Sequence, residues 1–190
     1  AKSDSSRETP NLQFHVQPIS TDKLGAAELH NFHAFTPTVA NIRPTSRGEI
    51  NIKSADTRDD PKIKMNYLST QEDRKVTADG LRLIRKIVLE TEIFKKYEPE
   101  EFRPGLKFNE DEELIAAASN YAQTIFHPVG TCKMGKDENS VVNERLCVHG
   151  LENLRVVDAS IMPNITSGNT NAPTIMIAEK GADMIIEDSK

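Results

Sequence analysis

Residues 154–177 read LRVVDASIMPNITSGNTNAPTIMI, and this stretch carries the clearest structural pattern in the chain. Its first five residues, Leu154–Asp158, form a short, nearly continuous apolar run, which predicts a strand covered on both faces. A polar loop rich in Asn, Thr and Gly follows over residues 164–171. Pro173 then marks a helix start, and the apolar residues after it predict a closing helix. Strand, polar loop and helix in this order are the usual α/β way of presenting backbone amides to a ligand.

The polar loop has two interpretations, and both can hold at once. Its asparagines are residues that tolerate unusual backbone angles, so the loop can be a simple turn. Alternatively, the loop offers amide donors and a helix N-terminus to an anionic or electron-rich group. The loop also contains the glycosylation sequon Asn164-Ile165-Thr166, which we expect to lie in a buried site.

A histidine segment, HPVGTCKMG at residues 127–135, lies upstream of this stretch. A helix is predicted from Asn109 to just before His127, because acids favour its N-terminal end and an apolar stripe follows. Two roles are open for His127. A neutral imidazole there could act as a base, or the residue could be a structural helix-end histidine beside Pro128. The stripe consists of Leu114, Ala118, Tyr121, Ala122 and Ile125.

The first half of the chain predicts an antiparallel sheet covered by a helix. Leu12–Val16 alternates apolar and polar residues, and the same strand-like pattern occurs at residues 32–42, 47–53 and 62–65. Short successive strands with little between them favour antiparallel pairing. A capping box, Ser69-Thr70-Gln71-Glu72, then opens a helix predicted to reach about Glu92.

Composition excludes several classes of function. The net charge is −5 at pH 7, and no dense basic cluster is present, so nucleic acid is not an expected partner. No apolar stretch approaches the ~20 residues that cross a bilayer, and the polar N-terminus has no signal-peptide pattern. The five histidines and two cysteines, Cys132 and Cys147, show no metal-ligand spacing, so we expect no metal site and two thiols.

Several motifs together resemble the C-terminal region of the glucose-methanol-choline (GMC) family of flavin oxidoreductases. Within that family the chain is most similar to the insect glucose dehydrogenases and their relatives. The segments at residues 43–50 and 61–68 also resemble the substrate-domain sheet of the family. The motifs are HPVGTCKMG at 127–135, RLCVHGL at 145–151, LRVVDASIMP at 154–163 and SGNTNAPTIMIAEK at 167–180.

The resemblance implies an α+β chain with a division of labour. Residues 11–126 would form a substrate-binding domain, an antiparallel sheet flanked by helices. Residues 127–149 would hold the active-site motif and a connection. Residues 150–190 would be the strand, loop and helix that complete an α/β FAD-binding domain.

The resemblance also implies site residues. His127 corresponds to the family's base, which takes the proton of the substrate hydroxyl. Asn169 corresponds to a second polar residue that helps to position the substrate oxygen, and Asn171 is the alternative. The flavin-contacting segment would comprise Asp158, Ala159, Asn171, Ala172, Pro173 and Thr174.

The implied reaction oxidises an alcohol or a sugar hydroxyl. His127 would take the hydroxyl proton while hydride passes to flavin N5, and Asn169 would bond the alkoxide-like oxygen. Quinone or oxygen would be the electron acceptor, and the family favours a secreted or extracellular location.

The chain has no G-x-G-x-x-G turn for the ADP part of FAD. We therefore expect a C-terminal portion of a longer enzyme whose N-terminal, Gly-rich FAD domain is absent here. This portion is expected to be inactive by itself. The alternative is a non-catalytic binding module derived from a GMC substrate domain. Retention of both His127 and Asn169 argues mildly against a module, because pure binding needs neither a base nor its partner.

Overall fold

The structure is a computed structural model that describes residues 1–22 and 28–190. It is a small α+β fold in which the described residues divide into two compact units. Unit 1 comprises residues 1–41 and 68–125, and unit 2 comprises residues 42–67 and 126–190. In chain order the elements are β1 (Leu12–Gln17), β2 (Thr36–Asn41), β3 (Glu49–Asn51), β4 (Lys62–Lys64), α1 (Gln71–Glu90), α2 (Glu92–Lys95), α3 (Asp111–Tyr121), a 3₁₀ turn (Ala159–Ile161) and α4 (Asn171–Asp188).

Unit 1 is built on an antiparallel pair of strands covered by α1. Strands β1 and β2 pair in register from Leu12 opposite Asn41 to Gln17 opposite Thr36. Leu12 is buried beneath Gly80 of α1, but the expected alternation of β1 is wrong further along, because Val16 is 64% exposed and the polar His15 is half-buried. Apolar residues of α1 and α3 complete the core of this unit, namely Val76, Ala78, Leu114, Ala117 and Ala118.

Helix α1 begins one residue later than the predicted capping box. The side chain of Thr70 caps the helix by accepting a hydrogen bond from the backbone N–H of Asp73 at 3.2 Å. The predicted pair, Ser69 and Glu72, therefore does not form the cap. Glu72 instead forms an ion pair with Arg7. The helix itself is confirmed, because it runs to Glu90 against a predicted end near Glu92.

Helix α3 is shorter than predicted, and this correction moves His127 away from a helix end. The helix ends at Tyr121, and Ala122 already has an extended backbone. Pro128 restricts only His127, the residue before it, while β-branched Thr124 and Ile125 lower helix propensity between Tyr121 and His127. The predicted apolar stripe is also wrong at its C-terminal end, where Tyr121 and Ala122 are exposed.

Unit 2 has little regular structure around its core. Strands β3 and β4 form a separate three-residue antiparallel hairpin, so the strands predicted in the first half form two pairs instead of one sheet. The core contains Val142, Leu146, Ile161, Met162 and Ile177. Helix α4 lies close to Val157, because a Cβ on Gly181 would stand 2.5 Å from a methyl group of that valine.

The predicted strand at Leu154–Asp158 does not form. Its ladder is reduced to one bridge, between Arg155 and Cys147. Val156 and Val157 are nevertheless packed against the core of unit 2. The run is thus partly buried at Val156 and Val157, whereas Leu154 is 48% exposed, and its backbone makes too few bonds to residues 146–148 to form a strand. The predicted closing helix is confirmed as α4.

Within residues 1–22 and 28–190, no helix is long and apolar enough to span a bilayer. The same residues contain no group of three His, Cys, Asp or Glu side chains arranged to hold a metal ion.

Candidate active site around His127

His127 is joined to the polar loop by a direct hydrogen bond. Its Nδ1 lies 3.0 Å from Oγ1 of Thr170, which is the residue immediately before α4. Thr170 is buried at 7% exposure, and His127 is half-buried. The histidine segment and the polar loop, 43 residues apart in sequence, therefore meet at one point inside unit 2.

The segment after His127 is held by the backbone of the 3₁₀ turn. The N–H of Cys132 donates to the carbonyl of Ser160 at 3.0 Å, and the N–H of Met134 donates to that of Ile161 at 2.8 Å. Gly130 makes this approach possible, because its φ is +90° and a Cβ there would lie 3.2 Å from the carbonyl oxygen of Met162. The glycine of the motif is thus required by backbone geometry.

Asp158 has a local structural role. Its carboxylate accepts hydrogen bonds from the backbone N–H of Ser160 at 2.7 Å and from the hydroxyl of Ser160 at 2.5 Å, which caps the 3₁₀ turn. The carboxylate is also exposed, while Ala159 is partly buried. Asp158 can therefore fix the turn and still face a ligand.

The first turn of α4 presents backbone donors to its surroundings. The carbonyl of Thr170 accepts from the N–H and the hydroxyl of Thr174, at 3.0 and 2.7 Å. Asn171 and Ala172 are exposed, and no described residue accepts from their N–H groups. Pro173 has no N–H and is half-buried. The start of α4 thus offers backbone N–H groups, unbonded among the described residues, and the positive end of the helix dipole to an electron-rich group.

Asn164 and Asn169 of the polar loop have different partners and neighbours. Asn169 is exposed and directly precedes Thr170, so it lies one residue from the partner of His127. The expectation that Asn164 is buried is wrong, because this residue is exposed. Its Oδ1 accepts a hydrogen bond from the guanidinium of Arg47 at 2.5 Å. Arg47 also donates to the carbonyls of Pro44 and Ser46, which ties this side of the loop to residues 44–47.

One carboxylate near the motif has a clearly shifted pKa. The Lys133 ammonium, followed by the hydroxyl of Ser140 and the backbone N–H of Asn139, lowers the pKa of Asp137 to about 2. The Lys133 Nζ lies 2.9 Å from Oδ1 of Asp137 and 3.0 Å from Oδ2. This solvent-accessible ion pair joins residues four apart and closes the turn in which the histidine segment ends.

Sequence reasoning singled out the residues on both sides of Thr170 and missed Thr170 itself. The available signal was its position, since Ser, Thr, Asp or Asn directly before a helix is the usual N-cap pattern. The pattern indicates a cap, however, and the structure gives the side chain a different partner.

Comparison with known proteins gives a consistent family. Residues 44–178 match the C-terminal domain model of the GMC oxidoreductases. The chain is 46% identical over 185 residues to an alcohol dehydrogenase (acceptor) of Pseudomonas putida, which covers 97% of the chain and 33% of the relative. It is 46% identical over 176 residues to an oxygen-dependent choline dehydrogenase of Pectobacterium atrosepticum, covering 93% of the chain and 31% of the relative.

Solved structures agree with these relatives. A formate oxidase of Aspergillus oryzae, described in connection with FAD modification, superposes with a TM-score of 0.85 at 27% identity. The superposition covers 95% of the chain and 32% of the oxidase. The chain spans about a third of the length of the relatives described above. Neither of the two curated relatives is named as a glucose dehydrogenase.

Proposed function

The chain belongs to the GMC oxidoreductase family, and from this premise we propose that it is the C-terminal portion of an FAD-dependent enzyme that oxidises an alcohol. The observation that carries the proposal is the hydrogen bond between His127 and Thr170, because it brings an imidazole to the start of α4. A base, an amide side chain and an open helix N-terminus then belong to one short region of unit 2.

His127 is the base in this proposal. Its Nδ1 is occupied by Thr170, which leaves Nε2 to accept the proton of the donor hydroxyl. Asn169 is exposed beside Thr170, and its amide can donate to the oxygen as negative charge develops there. Asn171 is the alternative for this role. An amide suits it because it adds no second titrating group to compete for the proton.

The residues fit an FAD-binding role at the start of α4. The exposed N–H groups of Asn171 and Ala172 are donors for an electron-rich ring system, and the helix dipole favours such a group. Asp158, Ala159, Pro173 and Thr174 complete the proposed set. When bound, FAD supplies the acceptor for the hydrogen that leaves the substrate carbon as hydride.

The division of labour follows the same proposal. Residues 11–126 contribute the substrate-binding part, residues 127–149 the active-site motif and residues 150–190 the FAD-binding part. These proposed boundaries separate functions, whereas the two compact units separate regions of dense packing. The packing units therefore do not test the proposed functional boundaries.

The substrate is proposed at the level of an alcohol. The relatives described above are named for alcohol and choline, and choline carries a primary hydroxyl group. A sugar hydroxyl, as in glucose, is the alternative donor, because His127 and Asn169 act on the hydroxyl and do not distinguish what carries it. Quinone or oxygen remains the proposed electron acceptor.

Replacement of His127 tests the proposal. In the full-length, FAD-loaded enzyme, His127→Ala should lower the rate constant of anaerobic flavin reduction about 100-fold or more, because general-base catalysis contributes roughly that factor. His149→Ala is the matched control, since His149 is exposed and bonds the carbonyl of Gly135. Flavin reduction at the wild-type rate in His127→Ala would reject the base and favour a non-catalytic binding module.

A further inference from the structure

We propose that Thr170 is a positioning residue that sets the tautomer of His127. Its hydroxyl accepts the Nδ1–H of the imidazole and so keeps Nε2 unprotonated and ready to take a proton. This inference rests on the proposed function, because it assumes that His127 is the base. It adds a residue that the family resemblance did not supply.

The geometry supports a specific contact. The Nδ1 to Oγ1 distance of 3.0 Å is that of an ordinary hydrogen bond. Within residues 1–22 and 28–190, it is the one hydrogen bond that the ring of His127 makes. The tautomer of a neutral imidazole depends on the bonds that its two nitrogens make, and in this proposal the Thr170 hydroxyl acts as the acceptor at Nδ1.

The hydroxyl of Thr170 is not used as a helix cap. Thr170 occupies the N-cap position of α4, yet its side chain makes no capping hydrogen bond. Its carbonyl instead receives two bonds from Thr174, which fix the backbone of Thr170 to the first turn of the helix. Removing the hydroxyl should therefore leave α4 intact while it releases the imidazole.

The arrangement couples the base to the proposed cofactor-binding turn. Thr170 is 7% exposed, so its rotamer is restricted by packing. The hydrogen bond therefore fixes the position of the imidazole relative to the helix turn that carries Asn171 and Ala172. A shift of the ring relative to this turn would misplace the proton acceptor, and misplacement of about 1 Å can cost a large factor in rate.

The kinetic test uses two substitutions of Thr170 in the full-length, FAD-loaded enzyme. Thr170→Val keeps the shape and removes the hydroxyl, and it should lower the limiting rate constant of flavin reduction about 10- to 100-fold, by analogy with the loss of hydrogen-bond partners that orient metal-bound histidines. The substrate Kd from the same stopped-flow titration should change less than about twofold, because Thr170 orients the base and does not bind substrate. Thr170→Ser should restore most of the rate.

Thr77→Val is the matched control for loss of a threonine hydroxyl. The Thr77 hydroxyl donates to the carbonyl of Asp73 at 2.8 Å within α1, and it is unrelated to His127. This variant should reduce flavin at the wild-type rate. A wild-type rate in Thr170→Val, while His127→Ala is slow, overturns the positioning role and leaves the base assignment standing. If His127→Ala is itself as fast as the wild type, both proposals fail.

Nitrogen-15 spectra of histidine-labelled protein provide a readout that does not depend on turnover. The signals of His127 are identified by their loss in His127→Ala. In the wild type we expect a protonated Nδ1 and an unprotonated Nε2, and in Thr170→Val we expect a shift towards the opposite tautomer. A protonated Nε2 in the wild type, or an unchanged tautomer in Thr170→Val, overturns the inference.

Discussion

His127 is placed by its immediate neighbours in sequence and by one distant hydroxyl. Phe126 has a positive φ of 65°, and Pro128 holds the residue before it away from the helical region. The chain therefore bends at Phe126, directly before His127. The side chain then bonds Thr170, which no local pattern could specify.

The candidate site was predictable from sequence to the extent that its motifs are local. The histidine segment and the polar loop were both singled out, because Gly, Pro and Asn mark turns wherever they occur. Their meeting was not predictable from spacing alone, since a contact across 43 residues depends on the packing of unit 2. The role of Thr170 was missed for the same reason.

The lowered pKa of Asp137 predicts that the free energy of unfolding falls in acid. Bonds from Lys133, Ser140 and Asn139 lower its pKa from 3.8 to about 2. Because the folded-state pKa lies below the unfolded value, this contribution to the free energy of unfolding is complete above pH 3.8 and is lost as the pH falls towards 2. Asp137→Asn should therefore flatten the fall in the urea midpoint over this range.

Glu138→Gln is the control for this titration. Glu138 is exposed beside Asp137, and it makes no hydrogen bond among the residues that the structure describes. It should keep the wild-type dependence on acid. An Asp137→Asn protein that loses stability as steeply as the wild type would show that the ion pair with Lys133 does not persist in solution.

At the scale of elements, helices were more predictable than strands. A helix makes its backbone hydrogen bonds within one segment, so a 3.6-residue pattern nearly suffices for α1, which has a Thr70 cap, and for α4, which has no side-chain cap. A strand pairs with another segment, and residues 154–158 are packed against the core with a single bridge. An apolar run predicts at least partial burial, whereas strand pairing depends on the backbone of the neighbouring segment.

The loop after α2 is fixed to α1 by a largely buried ion pair. Arg85 and Glu101 are both 12% exposed, and they form two parallel hydrogen bonds of 2.7 and 2.8 Å. Arg85 also donates to the carbonyls of Phe108 and Gly105, and Glu101 accepts from the N–H of Gly105. These bonds hold residues 101–108, which have little secondary structure of their own, against the helix.

Removal of the carboxylate from this pair should destabilise the protein. Glu101→Ala leaves a nearly buried guanidinium without its counter-charge, and breaking such a pair costs about 3–5 kcal/mol. The expected fall in Tm is about 6 °C or more for a domain of this size. Calorimetry of the variant measures it.

The control for Glu101 is an exposed pair in the same unit. Glu92 and Lys95 are 86% and 54% exposed, so Glu92→Ala should cost less than about 1 kcal/mol. Glu101→Gln, which keeps one acceptor oxygen, should fall between the two. Equal Tm values for Glu101→Ala and Glu92→Ala would mean that the buried pair contributes no more than a surface pair.

At the scale of the whole molecule, the chain contains the proposed base but lacks one part of the proposed cofactor site. The start of α4 offers donors for an electron-rich ring, whereas no Gly-rich turn is available for the ADP part of FAD. Unit 2 also exposes apolar side chains on α4, including Ile175 at 54% and Met176 at 59%.

The isolated 190-residue chain should therefore fail to oxidise an alcohol even with FAD present. Anaerobic bleaching of flavin absorbance measures the reaction, with choline and a simple primary alcohol as donors and free FAD as the blank. The full-length enzyme is the positive control, and circular dichroism of the isolated chain confirms that its helices are formed. Flavin reduction above the blank would show that residues 1–190 bind FAD productively by themselves, so that the missing Gly-rich turn is dispensable for the proposed reaction.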